Sequence, residues 1–514
     1  MKFIKCNTFL AGLLCTAFQV QAAPAGIADP LADTAYFNQT QTGFDLHFND
    51  RHYRLLETQV NGKVIHFRAY EKIVYVQHPL EPDYQTLNFY VPEAYFNGKT
   101  VNGFSAQTAP IFLPNAVGGY MPAKAATYDQ KSMGDSSKPN AIVTALAKGY
   151  VVASVGARGR TLEQNGKYTG KAPAAIVDLK SAVRYLHFND RNMAGDANKI
   201  ISNGTSAGGA LSALLGASGN HPDYAPYFKQ LGAANASDRI FAVSAYCPIT
   251  NLEHADMAYE WEFNGLNQFS RMDMSQLNAA TFNDRSKSMP KIEGELSAEQ
   301  IRISHQLKSD FPNYLNRLKL KDESGKPLTL NADGSGSFHD YLKNIILQSA
   351  QRSYRQGEDL SGYTWLKLGK NGVTDLDWHG YIHSAKRMKS PPAFDGLDLS
   401  NGENNLFGSE TVNNRHFTAY SLAHSTQKGA AIAPPDIIKM MNAMNYVNNP
   451  DAARHWRIRV GTADRDTSHA IATILAVKLQ MSGKRVDYQM PWNVPHSGDY
   501  DLEELFNWAD SISK

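Results

Sequence analysis

Lys199-Ile200-Ile201-Ser202-Asn203-Gly204-Thr205-Ser206-Ala207-Gly208-Gly209-Ala210-Leu211-Ser212-Ala213-Leu214-Leu215 changes character at its middle. The opening residues form a short apolar run that reads as a strand. From Ser206 onward, small and aliphatic residues read as a helix. The junction, Gly204 to Gly208, is a G-x-S-x-G pentapeptide. Alone it decides little, because at about 7% each of Gly and Ser a chain of this length holds one by chance roughly one time in six. Its context decides more: a serine that ends a strand and opens a helix sits on a strained nucleophile elbow, its oxygen exposed at the sheet edge. The glycines let the helix cross close to the neighbouring strand. The Ala207 amide then lies at a helix N-terminus, where negative charge is stabilised.

Outward from this junction the pattern repeats. Upstream come strand-like Leu87 to Val91 and Ala109 to Leu113, a helix from Asn140 to Lys148 stopped at Gly149, and strand-like Tyr150 to Ser154. Ile176, Leu179, Val183 and Leu186 recur at spacings of three, four and three, the mark of a helix with one buried face. The chain closes on strand-like Trp456 to Val460, helical Ala470 to Met481, strand-like Val486 to Met490 and a last helix from Leu502 into Trp508. Alternating β and α elements imply an α/β fold with a doubly wound, mostly parallel sheet.

Between the two βα blocks the texture differs. Residues 255–370 are rich in Met, Asn, Gln and Lys, with helical stretches such as Ala298 to Lys308 and Tyr341 to Tyr354. The final block is too small to fold alone, so the expected organisation is one core carrying a large, mainly helical lid: residues 24–245 as its first part, 246–430 as the insertion and 431–514 as its second part. Residues 1–23 read as a secretory signal, with Lys2 and Lys5 ahead of an apolar run from Phe9 to Phe18 and a small-residue cleavage site near Ala22. That run is half the roughly 20 residues needed to span a bilayer, so an exported protein, periplasmic or extracellular, with no membrane span is expected. Cys6 and Cys15 leave with the signal, and Cys247 remains without a disulfide partner in the chain. Lys and Arg number 51 against 49 Asp and Glu, a balance that gives nucleic acid or an acidic membrane surface no electrostatic hold.

A serine hydroxyl needs a base, and the base needs an orienting carboxylate. In this fold they follow in the order Ser, Asp, His. Asp464 stands just past Trp456 to Val460, and His496 just past Val486 to Met490, both on the sheet edge that carries Ser206. His469 would lie inside or at the start of a helix and His455 ahead of its strand, so neither points at the elbow. Asp466 competes for the acid role. Asp464 is preferred because it is nearer the strand end, where the sheet holds the backbone. The oxyanion hole needs a second amide beside that of Ala207, and Gly118 and Gly119 in Pro114-Asn115-Ala116-Val117-Gly118-Gly119-Tyr120 permit the close approach. Asn331, Asp333, Ser335 and Gly336 open like a calcium loop, but Leu342 stands where a bidentate Glu is required. That stretch is read as a polar turn, and no metal or other cofactor is expected.

With Gly-Thr-Ser206-Ala-Gly-Gly, Gly-Thr-Ala-Asp464-Arg-Asp466-Thr-Ser and Trp492-Asn-Val-Pro-His496-Ser-Gly-Asp in place, the chain resembles the bacterial tannases, serine esterases of α/β-hydrolase fold that cleave galloyl esters. The resemblance runs from the Gly118-Gly119 loop to the last helix. It implies Ser206, Asp464 and His496 as the triad, and a lid whose Lys389 and Glu403, with Asp466 from the core, hold the three adjacent hydroxyls of gallate. It also implies a small-molecule or polyphenol galloyl ester as substrate. The fungal tannase and feruloyl esterase group ties its nucleophile and histidine together through neighbouring cysteines, and here neither Ser206 nor His496 has a Cys beside it in the chain.

The alternative enzyme is a feruloyl or general aryl carboxylesterase with the same triad. Ferulate carries one free hydroxyl and would leave polar groups of such a site unpaired. A non-catalytic binding protein is disfavoured by the complete Ser, Asp, His set. A peptidase shares the machinery.

Overall fold

The computed structural model describes residue 36 and residues 38–131, 138–272 and 290–514. The secretory-signal expectation for residues 1–23 lies outside the described residues. One nine-stranded sheet organises the chain. In chain order its strands are β1 (Arg54–Val60), β2 (Lys63–Val74), β3 (Thr86–Pro92), β4 (Pro110–Pro114), β5 (Val151–Val155), β6 (Asp196–Thr205), β7 (Ala242–Tyr246), β8 (His455–Arg459) and β9 (Arg485–Gln489). In space the order is β1-β2-β3-β5-β4-β6-β7-β8-β9. From β5 to β9 every neighbouring pair is parallel, while β1, β2 and β3 join as antiparallel strands at one edge.

The central strands β3, β5 and β7 are buried along their whole length, as strands covered on both faces must be. The β1–β2 hairpin, by contrast, is half exposed and mixes charged with apolar residues. Of the helices, α1 (Ala141–Ala147) is capped by Asn140, whose side chain accepts from Val143 N, and the chain leaves it at Gly149 with a φ of +85°. Ile176, Leu179, Val183 and Leu186 on α2 (Ala174–Phe188) are all buried, each contributing about 1.5–3 kcal/mol. The helix α3 (Ala207–Ala217) follows β6 directly.

Between β7 and β8 run residues 247–454. They hold α4 (Leu252–Phe263), α5 (Ala298–Arg317), α6 (Ser337–Arg355), α7 (Trp378–Ala385) and the short α8 (Gly402–Leu406), together with two antiparallel strand pairs, Gln268–Met272 with Lys291–Glu295 and Leu366–Gly369 with Gly372–Leu376. The stretch around Asp333 is a turn closed on itself, with Asp333 Oδ1 accepting from Ser335 N at 2.9 Å and Ser335 Oγ at 2.6 Å. The chain ends with α9 (His469–Met481), β9 and α10 (Leu502–Ser513). His455 is the first residue of β8 and pairs with Ala242 and Arg485, rather than preceding the strand. Among the described residues no helix is long and apolar enough to cross a membrane.

Candidate active site

Ser206 sits at φ +61° and ψ −122°, a region that costs an L-residue about 1–3 kcal/mol and persists only where the surroundings over-determine it. Here they do. Ser206 N donates to Tyr246 O of β7 at 3.0 Å, and Ser206 O accepts from Ala210 N at 2.9 Å and Ile249 N at 3.2 Å. The glycines around it make way for backbone: a Cβ on Gly204 would stand 2.3 Å from Gly208 O, and one on Gly209 would stand 2.4 Å from Tyr246 O.

Parallel register brings four loops to the same edge. Thr205 and Arg459 both pair with Tyr246, and Arg459 pairs with Gln489, so Ser206, Cys247, Asp464 and His496 all lie beyond the C-terminal ends of adjacent strands. Asp464 is fully buried. Its Oδ2 lies 2.8 Å from His496 Nδ1, and its Oδ1 accepts from Asp466 N at 2.9 Å. Asp466 Oδ2 stands farther off, 3.9 Å from the same ring nitrogen. Burial disfavours the charged imidazolium of His496, but the carboxylates of Asp464 and Asp466 outweigh it and hold the pKa well above the ordinary histidine value. Burial likewise pushes the Asp464 carboxyl up, and the facing imidazole more than reverses this. Such a pair stabilises the imidazolium that forms when the ring takes a proton.

The Gly118–Gly119 loop is fastened from both sides. Asn115, just past β4, donates through Nδ2 to Asn203 O, Gly208 O and Ser212 Oγ at 3.1–3.2 Å. A Cβ on Gly208 would meet Val117 O at 2.6 Å, so the loop lies flush on the start of α3. Gly118 lines a cavity with Ser206 and His496. Gly119 instead directs its carbonyl to Arg160 Nε at 2.8 Å, and Arg160 Nη1 donates to Asn405 Oδ1 of α8 at 3.1 Å. Glu403, on the same short helix, bears electrostatically on both Arg160 and Tyr120.

Lys389 comes from the inserted stretch, yet its Nζ lies 2.7 Å from Asp466 O, 3.5 Å from Asp466 Oδ1 and 4.0 Å from the centre of the Phe394 ring. Tyr259 of α4 is the junction that places it. Its hydroxyl accepts from Met388 N at 3.1 Å and Lys389 N at 3.0 Å, and donates to Arg465 O at 3.0 Å. Lys389 and Asp466 are thus brought together beside His496, while Glu403 stands by the Gly119–Tyr120 side of the edge.

Sequence reasoning missed three participants. Cys247 has no neighbour role in the chain, but its Sγ lies 3.8 Å from His496 Nε2 and 3.4 Å from Ser497 O. No cysteine adjoins His496 along the chain, but Cys247 does so in space. Burial pushes the Cys247 thiol up, so the protonated form faces the ring. Asp499 lies under the histidine loop, its Oδ1 accepting from Asn203 Nδ2 at 2.9 Å. Glu262 of α4 holds His469, with Oε1 2.6 Å from Nδ1, while His469 Nε2 lies 2.9 Å from Gly461 O beneath the Asp464 turn. All three depend on pairings between residues far apart in the chain, which no local pattern encodes.

A strained serine between strand and helix, with a buried Asp–His pair on the same sheet edge, defines an α/β-hydrolase of the serine esterase kind. The BD-FAE family model matches residues 124–290. The solved tannase of Fusobacterium nucleatum is 53% identical, covers 91% of this chain and 100% of its own, and superposes with a TM-score of 0.88. Tannin acyl hydrolase from Lactobacillus plantarum in its native structure is 46% identical over 91% of this chain and 99% of its own, with a TM-score of 0.85, and the same values hold for a tannin acyl hydrolase in complex with ethyl gallate. Comparison with curated protein sequences finds no match. The chain belongs to the tannase family.

Proposed function

We propose that this chain hydrolyses galloyl esters, from simple gallates to polyphenol galloyl esters and depsides, through an acyl-enzyme on Ser206. The observation that carries the reading is the Lys389 ammonium lying against Asp466 beside His496. An ammonium donates to phenolic oxygens and a carboxylate accepts from phenolic hydroxyls. Glu403 supplies the second carboxylate. The solved relative holding ethyl gallate supports the same substrate class.

Ser206 Oγ attacks the ester carbonyl carbon while its proton passes to His496 Nε2. The resulting oxyanion is met by the Ala207 amide and an amide of the Gly118–Gly119 loop, donors aimed where charge develops. Collapse breaks the bond to the alcohol oxygen, which takes the proton from His496. Water, activated by the same imidazole, then repeats the sequence and releases gallate. Asp464 keeps the proton-bearing Nδ1 oriented throughout. Export to the periplasm or beyond follows from the signal-like pattern of residues 1–23.

Purified protein assayed on methyl gallate, methyl ferulate and p-nitrophenyl acetate tests the reading. Gallate should lead by well over tenfold in kcat/KM, and Ser206→Ala should lower turnover on all three by about 10⁶. Equal rates on gallate and ferulate would leave a general aryl esterase. A Ser206→Ala variant retaining a tenth of the activity would remove the serine from the chemistry.

A further inference from the structure

The cavity shared by Ser206 and His496 has a volume of about 210 Å³. None of Lys389, Glu403 and Asp466 lines it. Its walls are largely carbon: Pro114 at the end of β4, Ala116 and Val117 just after it, Ala126 farther along that loop, and Ala141 and Ile142 at the start of α1. Several of its polar groups are bonded to the protein already, although Asn203 Oδ1 is buried without a partner. Asn140 accepts from Val143 N and donates to the carbonyls of Tyr128 and Gln130; Thr127 Oγ1 donates to Asp129, and Asn203 to Asp499. Gln130 and Lys131 stand on the exposed rim.

An ester bound at Ser206 divides into two halves. The departing oxygen must reach His496 to be protonated, so the alcohol starts beside the ring that this cavity shares with Ser206. If the acyl ring is held by Lys389, Asp466 and Glu403, it lies away from these carbon walls. Resting on the reading under Proposed function, the geometry points to this cavity as the receiving site of the alcohol half, with preference for an uncharged alcohol that presents carbon surface, an alkyl chain above all. The acyl group is read by charges carried on the inserted stretch, and the alcohol by apolar walls belonging to the core.

The experiment is a series of gallate esters differing only in the alcohol: methyl, propyl and octyl gallate and a monogalloyl glucose. Two further methylenes buried in the cavity should raise kcat/KM of propyl over methyl gallate about tenfold, and galloyl glucose should fall below propyl gallate. Ala126→Phe, which fills the space, should bring the propyl-to-methyl ratio near one. Ile142→Thr, a smaller change, should lower it severalfold and gives a second reading if the first variant does not fold. A flat alcohol series in the wild-type protein, or a ratio unmoved in a folded variant, overturns the inference. So does a variant that alters discrimination between methyl gallate and methyl 4-hydroxybenzoate while leaving the alcohol ratio intact, since the cavity would then hold the acyl ring. No turnover of any gallate ester would instead bring down the functional reading on which this one rests.

Discussion

At the catalytic edge of the sheet, side chains are placed by backbone. Ser206 is pinned by backbone hydrogen bonds to β7 and α3, and Asp464 and His496 by the ends of paired strands. In residues 247–454 the placing is done by buried side chains: Arg387 pairs with Glu260, and the Tyr259 hydroxyl gathers three backbone groups. Outside the close-packed Gly204, Gly208 and Gly209, backbone placement survives most substitutions, because any residue but proline supplies the same amide. Side-chain placement depends on the identity of each partner, and a buried charge that loses its partner costs several kcal/mol. Under the proposed function, chemistry would therefore be the robust half of the molecule and recognition the half that drifts.

The largest separation between the two should come from the neighbouring aspartates. Asp464→Asn should lower kcat on p-nitrophenyl acetate by about 10⁴, whereas Asp466→Asn should leave that ester nearly untouched and weaken gallates. The pH profile sharpens the assignment. Turnover needs the neutral His496 ring, so activity falls as pH drops through its pKa. Asp464 holds that pKa up, and its removal should move the acid limb of kcat/KM to lower pH. A reversed pattern between the two variants would exchange their roles.

Next in size is recognition from the inserted stretch. Lys389→Ala and Glu403→Ala should each reduce methyl gallate kcat/KM by roughly ten- to a hundredfold, the worth of one charge-assisted hydrogen bond, and spare p-nitrophenyl acetate. Parallel losses on both esters would mean that these residues hold the fold rather than read hydroxyls.

The smallest effect concerns stability. Burial alone would lower the pKa of His469, but Glu262 more than compensates and it stands at about 9. A pKa raised above the unfolded value stabilises the protein fully below about pH 6.5 and loses that stabilisation as pH rises through 9, in all roughly 3 kcal/mol. Urea unfolding of wild-type and Glu262→Gln protein between pH 6 and 10 measures it; the variant should show a flatter dependence, and equal slopes would detach His469 from this role.

The same contrast explains what could be read from the sequence. Parallel strands buried on both faces appear as short apolar runs, so the βα order on either side of the insertion was legible, and strand-end positions such as that of Ser206 followed from it. The β1–β2 hairpin escaped because a half-exposed edge carries charges among its apolar residues. Ala242–Tyr246 escaped because five small and mixed residues give too little periodicity. Contacts such as Cys247 with His496 span 249 positions, and nothing local encodes them. In the insertion the stretches Ala298 to Lys308 and Tyr341 to Tyr354 were legible as parts of the longer helices Ala298–Arg317 and Ser337–Arg355, but the paired strands and the Tyr259 junction depend on partners far along the chain.

Asp464 and Asp466 share one turn, joined by the bond from the amide of one to the carboxylate of the other. Asp464 faces the histidine and Asp466 carries the lysine of the insertion. A change of length in that turn would displace both at once, so under the proposed roles selection could not retune the one without testing the other. A route to new acyl specificity that keeps the enzyme active at every step would run through Glu403, whose short helix reaches the core by way of Arg160 and not through the turn.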